Sequence, residues 1–101
     1  PPQIECFQQG NAYDIGEEHP IVTCVRGCLE SCTGRRPEIQ GLASGADARL
    51  LTNFADTPTV LCGPGSIDNA HSINEYVPVD EYLAAVHMFC KLFTEWCGTA
   101  E

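Results

Sequence analysis

The residues most able to do chemistry lie between 63 and 76. Gly63-Pro64-Gly65-Ser66-Ile67-Asp68-Asn69-Ala70-His71-Ser72-Ile73-Asn74-Glu75-Tyr76 is polar and rich in turn formers. It places one imidazole, His71, among the carboxylates of Asp68 and Glu75. An imidazole ligand with carboxylates to orient it is what a metal or acid–base site requires. Gly63 and Gly65 allow close backbone approach. One histidine in a polar loop is also a common surface feature, so residue types alone do not decide the matter. A second cluster is Cys24-x3-Cys28-x3-Cys32, which a helix would align as one stripe. Structural zinc sites favour closer pairs such as C-x2-C, so these thiols read first as small core hydrophobes. Cys90 and Cys97, seven apart, read as a further core stripe. His87, between Val86 and Met88, is expected to be partly buried or to flank a helix. His19 reads as a residue at a helix start.

Other chemistries find little support. No strand–GxGxxG–helix unit is present, so no phosphate cradle is indicated. Ser66 is not in a G-x-S-x-G elbow. With 5 basic against 14 acidic residues the net charge is −9. That argues against the basic face that nucleic acid or an anionic membrane surface demands. No run approaches the ~18 apolar residues of a membrane span, and no basic-then-apolar leader opens the chain. The seven cysteines form an odd set at irregular spacing, which fits reduced thiols in a cytoplasmic protein better than a disulfide framework. Pro1 is not a translation start, so the chain is expected to be a processed product or a piece of something longer.

These residues need elements to position them. Gln3 to Gln8 is expected as a short strand and Gln9 to Glu18 as a loop. Pro20 suits a first helical turn, and Glu17 and Glu18 sit just upstream. Ile21, Cys24, Val25, Cys28, Leu29 and Cys32 follow at helical spacing. Gly34 is a natural stop, with Arg35 and Arg36 near the C-terminal end. Glu38 to Leu42 is expected as a strand. Asp47 to Phe54 is expected as a helix capped by the Asp47 side chain. Thr59 to Cys62, apolar without alternation, suits a strand covered on both faces. Val79 to Cys97 is the clearest helix, ended by Gly98. The alternation predicts an α/β fold: part of a mostly parallel sheet flanked by helices and completed by residues absent from this chain.

Gly63-Pro64-Gly65, five residues, His71, three residues and Glu75-Tyr76-Val77 together resemble the C-terminal signature of a zinc-dependent amidohydrolase and peptidase family. Its members include acetylornithine deacetylase, succinyl-diaminopimelate desuccinylase, glutamate carboxypeptidase and aminoacylase. Ser44-Gly45-Ala46-Asp47-Ala48-Arg49 resembles the family's Gly-Gly-Thr-Asp-Ala segment, with Ala46 where Thr is usual, and Thr59 to Cys62 resembles its strand into Gly-Pro-Gly. Val79 to Cys97 resembles its closing helix, so the likeness covers about residues 39 to 97. It implies a dinuclear zinc site with a bridging water, His71 as the last metal ligand and Glu75 as the carboxylate orienting it. Gly45 would lie at the substrate carboxylate, and Gly63, Pro64 and Gly65 would be the scaffold of the His71 loop. The remaining ligands and the general base have no counterpart here, so no catalytic residue is expected in this chain.

The expectation is therefore one unit, residues 1–101, forming the C-terminal portion of a catalytic domain. Residues 1–16 would return from an inserted lid domain. The intact enzyme would deacylate a small N-acyl amino acid such as N-acetylornithine. Its partners would be the N-terminal remainder and, through the lid, a second subunit; the piece alone would be inactive. Two rivals stand beside this reading: a non-catalytic interaction module keeping the loop as scaffold, and a metal or redox protein built on Cys24, Cys28 and Cys32.

Overall fold

The computed structural model describes residues 1–100. Three α-helices order the chain: α1 (Pro20–Thr33), α2 (Ala48–Phe54) and α3 (Val79–Cys97), with a single 3₁₀ turn at Ile67–Asn69 before α3. Helix α1 starts on Pro20, whose missing N–H costs nothing in the first turn. His19 caps it: its Nδ1 accepts from the Ile21 N–H at 3.2 Å. The helix ends at Gly34, held in the left-handed conformation at φ 71°, with its N–H donating to Glu30 O at 2.8 Å. Helix α3 carries Asp80 and Glu81 in its first turn, where the helix dipole favours negative charge.

The core is the contact between α1 and α3. Val25 and Cys28 from α1 meet Met88 and Leu92 from α3, and Cys28 and Met88 are fully enclosed. Ile21, Cys24, Leu29, Cys32, Val60, Cys62 and Phe89 pack around them. The central stripe of α1 is thus the one read from its periodicity. Among the described residues α1 and α3 are the only helices in contact. The radius of gyration is 16.7 Å, against about 13 Å for a compact chain of 100 residues. Much apolar surface consequently stays bare, including Ile4, Phe7, Phe54, Val79 and Phe93.

The expected α/β architecture is not found. No strand or sheet occurs among the described residues. Residues 3–8, 38–42 and 59–62 make no backbone hydrogen bond to another segment. A strand exists only as part of a ladder, and these segments have no partner to pair with. Val60 and Cys62 turn onto the helix pair while Leu61 is about half exposed (49%), so this run is one-sided and not covered on both faces. Cys90 and Cys97 are also corrected: both are exposed, because α1 packs on the other side of α3. His87 is exposed as well. Asp47 sits at the N-cap of α2 yet makes no side-chain capping bond. No helix among the described residues is long and apolar enough to cross a membrane.

Candidate functional site

The loop from Gly63 to Tyr76 is built by local hydrogen bonds and fixed to α3 at one point. Gly65 sits at φ 87°, a conformation that glycine adopts without penalty. Its N–H donates to Glu81 Oε2 at 2.9 Å, which ties the loop's start to the first turn of α3. A Cβ at position 65 would lie 3.2 Å from Val77 Cγ2, so the loop's two arms also approach closely here. Pro64 is half-buried, whereas Gly63 is exposed. Ser66 caps the 3₁₀ turn through its Oγ, which accepts from the Asp68 N–H at 3.2 Å. Asn69 O then receives the Ser72 N–H at 3.3 Å and the Ser72 hydroxyl at 2.8 Å. These two bonds straddle His71.

His71 itself is held at φ 60°, one of two non-glycine residues in the left-handed region among the described residues. The turn lifts its side chain into solvent. Glu75 is exposed four residues on, and no carboxylate forms an ion pair with the His71 ring among the described residues. The loop therefore presents an unencumbered imidazole but does not join it to Glu75. Gly45 is likewise exposed and lies elsewhere. It lines an open cleft of about 1170 Å³ between the start of α2, α1 and residues 59–62, and His71 and Glu75 do not line that cleft.

Catalytic zinc takes about three protein ligands. Around His71 no such set of three forms among the described residues. The loop fits one corner of a metal site and does not form a whole one.

A different group of donors does converge. Cys24 Sγ, Cys28 Sγ and a Glu95 carboxylate oxygen all lie within 4.8 Å of one another. The Cys28 thiol donates to Glu95 Oε2 at 3.3 Å. Burial, then the hydrogen bond and the charge of Glu95, push the Cys28 thiol up to about 12 from an ordinary 9.0. The other oxygen, Glu95 Oε1, faces Lys91 Nζ at 3.7 Å. Lys91 also donates to Ser31 Oγ on α1 at 2.6 Å. The sequence placed Cys24 and Cys28 on one stripe but gave no hint of Glu95. The available signal was its position three residues beyond Leu92, on the side of α3 that meets α1. Cys32 lies outside the group.

The comparisons bear on the loop. The family described as Peptidase family M20/M25/M40 matches residues 3–95, and the chain belongs to it. The resemblance drawn from the Gly63-to-Val77 pattern is to this family. An N-formyl-4-amino-5-aminomethyl-2-methylpyrimidine deformylase of Bacillus subtilis is 28% identical over 86% of this chain and 20% of its own length. A Bacillus subtilis protein named as a dipeptidase is 24% identical over 88% of this chain and 19% of its own. A Thermococcus kodakarensis protein named for LysW-lysine and LysW-ornithine hydrolysis is 29% identical over 89% of this chain and 26% of its own. The chain thus spans about a fifth to a quarter of the length of the relatives it matches. No solved structure matches it at the same stringency.

Proposed function

We propose that residues 1–101 are the C-terminal portion of the catalytic domain of a zinc-dependent amidohydrolase that deacylates a small N-acyl amino acid. The observation that carries this reading is the family match over residues 3–95 together with a Gly63-Pro64-Gly65 loop that ends in a solvent-facing His71. The names of the relatives agree on the class of bond: a formyl amide in the deformylase, a peptide bond in the dipeptidase. Within that class the wording of the loop favours an N-acetylornithine-like substrate.

The chain's own residues take the following parts. His71 would offer a ring nitrogen to one of two zinc ions. Glu75, which is not joined to that ring here, would orient it through the other nitrogen once the site is complete. Gly45, without a Cβ, leaves its backbone open to a substrate carboxylate at the cleft. Gly65 and Glu81 hold the loop against α3 at 2.9 Å so that His71 returns to one position. When bound, zinc polarises an amide carbonyl and brings the pKa of its water to ~7. The other ligands and the general base come from the N-terminal remainder of the same polypeptide, which also covers the bare apolar faces. Residues 1–16 are the segment returning from a lid domain. A 101-residue piece is then inactive alone.

The test is zinc content and N-acetylornithine hydrolysis in the full-length product and its His71→Ala variant. Close to two zinc ions per subunit, with metal and turnover lost together in the variant, is the expected result. Zinc and turnover indifferent to His71 would sink the proposal and leave the loop as scaffold.

A further inference from the structure

The thiol group at the α1–α3 contact takes no part in the proposed hydrolysis. We infer that Cys24, Cys28 and Glu95 form a binding site for a thiophilic divalent cation of the Zn²⁺ class, separate from the His71 loop. The donor set is the first ground. Two sulfurs and one carboxylate oxygen suit zinc, which accepts both donor types in tetrahedral geometry. At about 2.3 Å per Zn–S bond, tetrahedral ligand atoms stand roughly 3.8 Å apart. The three atoms here lie within 4.8 Å of one another, and Cys28 Sγ and Glu95 Oε2 are already at 3.3 Å. Closing on a cation therefore starts from ligand atoms no more than 4.8 Å apart.

The second ground is the way Glu95 is held. Its carboxylate is divided, with Oε2 toward Cys28 and Oε1 toward Lys91, and Lys91 is anchored across the interface on Ser31. That arrangement aims one oxygen at the sulfurs, as a partner outside the ligand set does in metal sites. Charge is the third ground. Two thiolates and a carboxylate carry −3, which a divalent cation and the Lys91 ammonium would neutralise. Without a cation the Cys28 thiol keeps its proton, in line with its burial and its bond to Glu95. Binding displaces two protons: each S–H bond breaks, each sulfur keeps the electron pair and shares it with the metal, and the protons leave to solvent. The site also has a way in. Cys28 is enclosed at its base, while Cys24 is half-buried and Glu95 is exposed. The fourth coordination position therefore faces solvent and takes a water.

The experiment uses reduced full-length protein with exposed Cys6, Cys90 and Cys97 changed to Ser, and Co²⁺ as the spectroscopic probe. The expected result is a thiolate-to-Co²⁺ charge-transfer band that saturates at one ion per chain and is abolished by Zn²⁺. Cys24→Ser and Cys28→Ser each remove the band. Glu95→Gln weakens binding at least ~10-fold, and Lys91→Met by roughly 10-fold, as outer partners do. His71→Ala leaves the band unchanged. Cys24 is only half-buried, so Cys24→Ala with native helix content by circular dichroism separates ligand loss from unfolding. Absence of the band, its survival in the Cys24→Ser/Cys28→Ser double variant, or its indifference to Glu95→Gln would overturn the inference.

Discussion

His71 should separate the chain's stability from its function, and in an unusual direction. The residue is exposed and sits at φ 60°, while the hydrogen bonds that shape its turn come from Ser72 and Asn69. A left-handed conformation costs an L-residue roughly 1–2 kcal/mol. Histidine is among the side chains that tolerate it, so the lower figure of about 1 kcal/mol applies. His71→Gly recovers that amount but loses ~0.5–1 kcal/mol to the freer unfolded chain. The sum lies between zero and about 0.5 kcal/mol of stabilisation, or a rise in Tm of up to ~2–4 °C. His71→Ala retains the strained backbone and should stay within about 0.5 kcal/mol of the parent. Both substitutions remove the proposed zinc ligand, and metal affinity or hydrolysis should fall by at least ~100-fold, the upper range for partners one shell further out. Asp56 supplies the matched control: it is exposed with φ 48° and belongs to no proposed site. Asp56→Gly should move the urea midpoint as His71→Gly does and leave turnover of the full-length product untouched. A His71→Gly protein that loses ~2 kcal/mol of stability while still hydrolysing substrate would refute the reasoning, because the ring would then be a structural group.

Five further outcomes are expected. Alkylation followed by mass spectrometry should label exposed Cys6, Cys90 and Cys97 first and Cys28 last; equal rates at Cys28 and Cys90 would contradict its burial. Because the folded Cys28 thiol is raised to about 12 from 9.0, its contribution to stability is complete below about pH 9 and is lost as pH climbs toward 12. The urea midpoint should therefore fall more steeply over that window in the parent than in Cys28→Ala. Met88→Ala, at the centre of the helix contact, should cost ~2–4 kcal/mol; a loss below about 1 kcal/mol would mean that α1 and α3 are not joined there. Gly65→Ala adds a Cβ at 3.2 Å from Val77 Cγ2 and φ strain of roughly 1–2 kcal/mol. The companion change Val77→Ala should recover only the contact part, and full rescue would argue against the strain. On the outer side of α3, Val86→Asp should be harmless to helix content in the isolated chain and destabilising in the full-length product, and equal effects in both would leave that face uncovered.

The helices were legible because each carries its signal locally. Pro20 and Gly34 bracket α1, and Val79 to Gly98 bracket α3, without reference to any other part of the chain. Caps were read less well. The capping bond at α1 comes from His19 Nδ1, a type outside the usual set of short oxygen-bearing side chains, while Asp47, which belongs to that set, makes none. The strands failed because their existence depends on a partner. Thr59 to Cys62 has the composition of a strand, but composition supplies no neighbour to receive its N–H groups. The His71 loop was legible as a pattern, and its backbone agrees at Gly65, where φ is 87°, but not at Gly63, which has neither a positive φ nor a close neighbour. Glu95 was invisible because its meaning arises from α1, sixty-seven residues away in sequence from Cys28 to Glu95.

Helix α3 shows what periodicity can and cannot say. Met88 and Leu92 face α1. Val79, Leu83, Val86, Cys90, Phe93 and Cys97 form a second stripe, spaced alternately by four and three, and all of them are exposed. A single amphipathic helix has one such stripe; two stripes describe a helix placed between layers. The sequence reading merged them and therefore set Cys90 and Cys97 in the core. The same duality bears on function. Glu81, on the first turn of α3, is the anchor of the His71 loop. Whatever holds α3 still also holds the imidazole still, and a contact with α1 on one side fixes the helix only in part. A ligand must return to within about 0.5 Å to serve a metal. Covering the outer stripe would therefore do more than hide apolar surface: it would set how steadily His71 is held.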